Sequence, residues 1–174
     1  MSKPSQSDWI REALDRFEAP LVRYALRIVG DLETARDVVQ DTFLKLCRED
    51  RDHIEDHLSQ WLFTVCRNRA FDVQKKERRM TTATDFDQKS QAETTEGPLD
   101  SAVTQDSASH VLHVMGRLPD NQQEVIRLKF QNDMSYKEIA EVTGLSVSNV
   151  GFLLHVGLKR LREMMNPEND VAMT

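Results

Sequence analysis

Between Met80 and Asp106 the chain offers almost nothing that a folded core accepts: 27 residues rich in Thr, Ser and Gln, with one Lys against six Asp or Glu. A stretch that buries so little apolar surface does not offset its ordering entropy. It reads as a flexible linker, and it cuts the 174 residues into lobes of 1–79 and 107–174. As a coil it has an r.m.s. span of roughly 30 Å and a stretched reach of about 90 Å. Nothing in the chain looks like an extended parallel sheet. With only 6 glycines and 6% aromatic residues, a turn-rich β-sandwich and a glycine-looped nucleotide enzyme are both disfavoured. The expectation is an all-α chain of two small helical domains.

Net charge conceals how the charges are arranged. Residues 1–79 hold 15 basic and 15 acidic side chains and residues 107–174 hold 7 and 8, so the linker carries nearly all of the −6 balance. The two cysteines, Cys47 and Cys66, have no C-x-x-C spacing, which predicts neither a disulfide framework nor a redox motif. No secretory leader pattern precedes the first polar helix, and no apolar run approaches the roughly 20 residues of a membrane span. These features predict a cytoplasmic protein without membrane insertion.

In the first lobe, Trp9, Ala13, Leu14, Phe17, Leu21, Tyr24, Ala25 and Ile28 recur at helical spacing. Ser7 or Asp8 is available as N-cap and Gly30 as terminator. Pro20 is expected to kink this helix or divide it. A second helix is predicted from Leu32 to Arg48, with Ala35, Val38, Val39, Thr42, Phe43 and Leu46 inward, and a third from about Leu58 with Leu62, Val65, Ala70 and Val73 buried. Three helices on short loops make a compact bundle. The third turns basic along its length: Arg67, Arg69, Lys75, Lys76, Arg78 and Arg79 face two acids within 67–79. A phosphate-binding stripe and a solvated basic helix end favoured by the macrodipole both fit.

Helical spacing resumes near Ser107 with Val111, Leu112, Val114, Met115 and Leu118, and Leu118-Pro119-Asp120 opens a further helix through Val125, Ile126, Leu128 and Phe130. The densest signal is Met134 to Val150. Ser135 and Glu138 have capping-box spacing, Ile139, Ala140 and Val142 form a short apolar face, and Gly144 supplies a left-handed turn. Ser146 then caps a helix carrying Val147, Val150, Leu153 and Leu154. A small residue at the helix crossing, glycine in the turn and a branched residue pinning the second helix are the requirements of a helix-turn-helix. Binding to DNA becomes the leading expectation.

Together the lobes resemble the extracytoplasmic-function (ECF) group of sigma-70-type bacterial transcription initiation factors. Gly30-Asp31, Ala35 to Leu46, Trp61-Leu62 and Arg67-Asn68-Arg69-Ala70-Phe71-Asp72 look like the family's region two. Leu118-Pro119, Gln123-Glu124-Val125, Ser135 to Ala140 and Leu161-Arg162-Glu163 are similar to region four. The resemblance implies a factor, not an enzyme, that directs core RNA polymerase to promoter DNA and is held in check by an anti-sigma factor. It implies that the helix around Asp37, Gln40 and Asp41 docks on polymerase. It places the minus-ten promoter element on the region from His53 to Arg79, where flipped bases are held and cations follow the backbone. Arg67, Arg69, Lys75, Lys76, Arg78 and Arg79 suit the backbone role, Asn68 a base edge or a phosphate, and Asp72 the orientation of a neighbouring Arg. Trp61 is expected in the core.

For the minus-thirty-five element the resemblance implies that the helix from Ser146 enters the major groove. Here the chain departs from the family pattern, which often has Lys or Arg at the positions of Gly151, Leu153, Val156 and Leu158. The remaining candidate contacts are Ser146, Ser148, Asn149, Phe152 and His155, with Lys159, Arg160 and Arg162 near the helix end. Asn149 suits adenine and Phe152 a thymine methyl. A competing reading has Phe152, Leu153, Val156 and Leu158 packing on another protein or on the first lobe. Two further classes stay open: a helix-turn-helix regulator that needs no polymerase, and a protein-interaction module. His53 with His57, His110 with His113, and the two cysteines lack the order of known metal motifs, and no nucleophile elbow is present. Neither a metal nor another cofactor is expected. The linker acids Asp85, Asp87, Glu93, Glu96 and Asp100 offer an electrostatic mask for the basic helix end.

Overall fold

The computed structural model describes residues 4–84 and 105–166, and every regular element among them is helical. The chain divides into two compact units, Met1–Glu93 and Thr94–Thr174.

The first unit begins with α1 (Gln6–Val29). Its cap is Ser5, whose hydroxyl accepts the Asp8 N–H at 3.2 Å; Ser7 and Asp8, the expected caps, lie inside the first turn. Pro20 does not divide the helix. Phe17 and Leu21 bury one face on either side of it, with Tyr24 and Ala25 beyond. Burial of both halves outweighs the ~3 kcal/mol cost of an interior proline. Gly30 closes α1 in the left-handed region at φ 85°, its N–H donating to the Leu26 carbonyl at 2.8 Å. Asp31 then caps α2 (Leu32–Leu46) by accepting from the Glu33 and Thr34 N–H groups. Hydrogen bonds from Thr34 above all hold the Asp31 carboxyl below its ordinary value.

A single-turn helix, α3 (Arg51–Ile54), and a 3-10 turn at Glu55–His57 replace the loop expected around His53. The short α3 forms because Asp50 caps it and Ile54 plugs the core. The long helix α4 (Leu58–Thr84) completes the unit and continues through 80–84, five residues that the composition places in the linker. At its other end Gln105 and Asp106 open the helix Gln105–Met115, and the rest of the expected linker, including the acids proposed as a mask, lies outside the described residues, from Asp85 to Thr104. Leu21, Val38, Leu46, Leu62, Phe63 and Cys66 are fully buried among α1, α2 and α4, and Tyr24 meets Phe63 edge-on at 5.2 Å. Burial pushes the Cys66 thiol up to about 12, so it stays protonated and serves as packing.

The second unit comprises α5 (Gln105–Met115), α6 (Asp120–Phe130), α7 (Tyr136–Thr143) and α8 (Val147–Met165). Pro119 occupies the N-cap of α6, one position before the expected first turn. The capping box of α7 is complete: the Glu138 N–H donates to Ser135 Oγ at 3.2 Å and the Ser135 N–H to Glu138 Oε2 at 2.7 Å. Gly144, at φ 74°, turns the chain, and Ser146 caps α8. Leu128, Ile139 and Val150 lock the helix-turn-helix onto α6. Gly157 has a structural reason: a Cβ there would lie 2.9 Å from Ile126 Cδ1, so the absent side chain is what lets α8 approach α6 closely.

Candidate functional site

The α2 ridge stands at the rim of a groove. Asp37, Gln40 and Asp41 are all exposed on α2. Asp37 and Gln40 border an apolar trough between α1 and α2 lined by Ile10, Leu14, Val22, Val39, Phe43 and Leu44. Leu44 is 54% exposed, so the trough presents apolar surface flanked by polar side chains, which is how protein interfaces are built. Ile10, Val22 and Leu44 are absent from the faces expected from the sequence. The signal for the first two is an α1 apolar stripe wider than one partner helix needs, since Ile10 and Leu14 stand at i, i+4 beside the buried Trp9–Ala13–Phe17 row.

Asp41 points elsewhere. Its Oδ2 accepts Arg69 Nε of α4 at 2.8 Å, with both side chains about half exposed. Two residues expected at different surfaces therefore meet. Asp41, and not Asp72, orients a basic side chain; Asp72 makes no hydrogen bond or ion pair among the described residues.

The α4 cations do not form one stripe. At 100° per residue, Asn68, Asp72, Lys75 and Arg79 share the outward face, Arg67, Phe71 and Arg78 one flank, and Arg69 and Lys76 the flank beside α2. Arg67 is half-buried with its guanidinium 4.7 Å from the Phe71 ring centroid. Lys75, Lys76, Arg78 and Arg79 are exposed. Trp61 is half-buried and Leu62 fully buried, which gives Trp61 an outer edge.

On α8, Ser148, Asn149, Phe152, His155 and Lys159 are exposed, while Val150, Leu153 and Leu154 are buried within the unit. Leu153 is 7% exposed. It faces the core of its own unit, so the competing reading that packs it on an external partner does not hold for Leu153. Ser146 is engaged as cap, its Oγ accepting the Asn149 N–H at 3.1 Å. Lys159, Arg160 and Arg162 cluster in the last turns, two or more turns beyond Phe152.

A helical unit with an exposed basic helix and a second unit ending in a helix-turn-helix fit a DNA-binding protein. Residues 13–80 match the Sigma-70 region 2 family and residues 110–161 match Sigma-70, region 4. The chain belongs to the sigma-70 family, within its ECF group, and is an RNA polymerase sigma factor. It is similar to the ECF RNA polymerase sigma factor SigM of Bacillus subtilis, 25% identical over 90% of this chain and 95% of that protein. It is also similar to SigL of Mycobacterium tuberculosis, 29% identical over 88% and 86%. Its fold is that of RpoE from Bartonella quintana, solved with the anti-sigma factor NepR, at a TM-score of 0.59 and 21% identity over 90% of this chain and 96% of that one. CnrH, solved with the cytosolic domain of CnrY, gives 0.58 at 22% identity over 91% and 88%. No single helix among the described residues is long and apolar enough to cross a membrane.

Proposed function

We propose that the first unit docks on core RNA polymerase and opens the minus-ten region, while the second reads the minus-thirty-five duplex. Polymerase is held by the α2 ridge at Asp37 and Gln40 together with the apolar trough behind it, and Asp41 contributes from the same ridge while steering Arg69. Arg67, Arg69, Lys75, Lys76, Arg78 and Arg79 follow the backbone of the displaced strand, and Asn68, at the centre of the outward α4 face, meets a base or a phosphate. Energy from holding flipped bases drives melting. The protein needs no nucleotide hydrolysis and no cofactor, and it acts in the cytoplasm as an initiation factor that is not an enzyme.

The second unit presents Ser148, Asn149, Phe152 and His155 of α8 to base edges, with Ser146 at the helix start and Lys159 and Arg160 toward phosphates. An anti-sigma factor, as NepR is in the RpoE complex, covers one or both surfaces until a signal releases it. The observation that carries this reading is the pairing of region 2 and region 4 matches with two helical units most of whose candidate contacts are solvent-exposed, Arg67 being half-buried. Run-off transcription with core polymerase on a library of host genomic fragments tests it. Discrete transcripts that require the protein are expected; none above the level of core enzyme alone would overturn it.

A further inference from the structure

The exposed surface of α8 carries an unusual chemistry. Taking Phe152 as the centre, helical periodicity puts Ser148, Asn149, His155, Val156 and Lys159 within 60° of it on one face. No Lys or Arg occurs between Ser146 and Lys159. Phe152 is 62% exposed although its neighbours Leu153 and Leu154 are buried, so the largest apolar side chain in the stripe faces solvent while the unit's core is filled without it. Phe152 is also held at a fixed height: Ser146 caps the helix one and a half turns earlier, and Val150, fully buried, pins the intervening turn.

Guanine is read best by a bidentate Arg or Lys, which this face lacks in its first three turns. What the face does offer is an amide at Asn149, matched to adenine N6 and N7, and an aromatic ring at Phe152, matched to the methyl group that distinguishes thymine. In a helix-turn-helix the first turns of the second helix lie at base edges. Resting on the reading that α8 enters the minus-thirty-five duplex, we infer that its base preference is for A·T pairs and is decided by apolar contact between Phe152 and a thymine 5-methyl group. The cations at Lys159, Arg160 and Arg162 set affinity and not sequence.

The test uses the full chain bound to core polymerase. The holoenzyme selects from duplexes randomised over the upstream element at fixed distance from a minus-ten sequence that it transcribes. Selected duplexes are expected to share a thymine at one fixed upstream position. Replacing that thymine with deoxyuridine removes only the methyl and is expected to weaken binding about fourfold, the transfer value of one buried carbon. Phe152→Ser, at an exposed position that leaves the core untouched, is expected to bind both duplexes equally, and Phe152→Leu to restore most of the preference. Equal binding of the two duplexes by the unaltered chain, or selection of G·C pairs at that position, overturns apolar readout while upstream recognition stands. Absence of any upstream selection, with transcription still directed by the minus-ten sequence, overturns the DNA role of α8 and this inference with it. Unchanged thymine preference in Phe152→Ser, with loss of anti-sigma binding, also overturns it and assigns Phe152 to a protein partner.

Discussion

Gly151 and Gly157 stand six residues apart on α8, and alanine at each is expected to move stability in opposite directions. Both substitutions relieve the helix of an interior glycine, worth about 1 kcal/mol. At Gly151 the added Cβ meets the Tyr136 ring at 3.5 and 3.8 Å, ordinary contact, so the gain is kept. At Gly157 it falls 2.9 Å from Ile126 Cδ1 and 3.3 Å from Gln122 Cβ. Ile126 is 4% and Gln122 6% exposed, so neither turns aside without disturbing the α6–α8 seam. Overpacking of this kind costs about 1–3 kcal/mol, which leaves Gly157→Ala less stable by roughly 1 kcal/mol after the propensity gain. For a domain of this size the two variants should bracket the parent by about 4–8 °C each way. Both tryptophans, Trp9 and Trp61, belong to the first unit, so tryptophan fluorescence does not follow this change. Hydrogen exchange across the α8 amides of the full chain does. Stabilisation by Gly157→Ala comparable to that by Gly151→Ala would refute the close approach of α6 and α8 as the reason for glycine at 157.

The half-exposed Asp41–Arg69 pair is expected to couple by no more than about 1 kcal/mol in a denaturation double-mutant cycle of Asp41→Asn with Arg69→Gln. The same cycle read on a forked minus-ten probe should show weaker binding in Asp41→Asn only when Arg69 is present; strict additivity on that probe would show that Asp41 does not steer Arg69. Ser135→Ala removes half of a complete capping box and should cost the second unit about 1 kcal/mol, measured by exchange of the α7 amides. Asp31 has a carboxyl lowered from 3.8 by its cap bonds, so its contribution is present above the ordinary carboxylate range and is lost as pH falls below 3.8 toward the folded value. Acid titration of Asp31→Asn, which keeps a capping oxygen, should show a weaker dependence on pH in that window than the parent, and identical acid limbs would count against the cap.

Features written in short stretches of chain were the legible ones. The capping box at Ser135 and Glu138, the left-handed turns at Gly30 and Gly144 and the Ser146 cap each depend on a few consecutive residues, and all appear where their spacing puts them. Ser5 caps α1 although Ser7 and Asp8 satisfy the same local rule, and this earlier start sets Trp9 in the buried face. Pro20 leaves α1 undivided for a related reason: propensity sees one residue, whereas the helix is held by Phe17 and Leu21 packing on other elements. The trough between α1 and α2 and the Asp41–Arg69 pair join residues far apart in the chain, so no periodicity encodes them.

The same contrast accounts for the two surfaces proposed to face DNA. On α4, charge composition announces a basic surface, but the spread of six cations over three sides of the helix emerges only from their angular positions. Such a spread suits a flexible single strand that wraps around the helix better than a rigid duplex that touches one side. On the first three turns of α8 the absence of Lys and Arg looks like a defect as long as affinity and specificity are treated as one quantity. They are separable, because phosphate contacts supply binding that is indifferent to sequence and base-edge contacts supply discrimination. Under the proposed function, a factor anchored through polymerase and the basic end of α4 has its affinity elsewhere, which leaves the exposed turn of α8 free to carry a neutral amide and an aromatic ring.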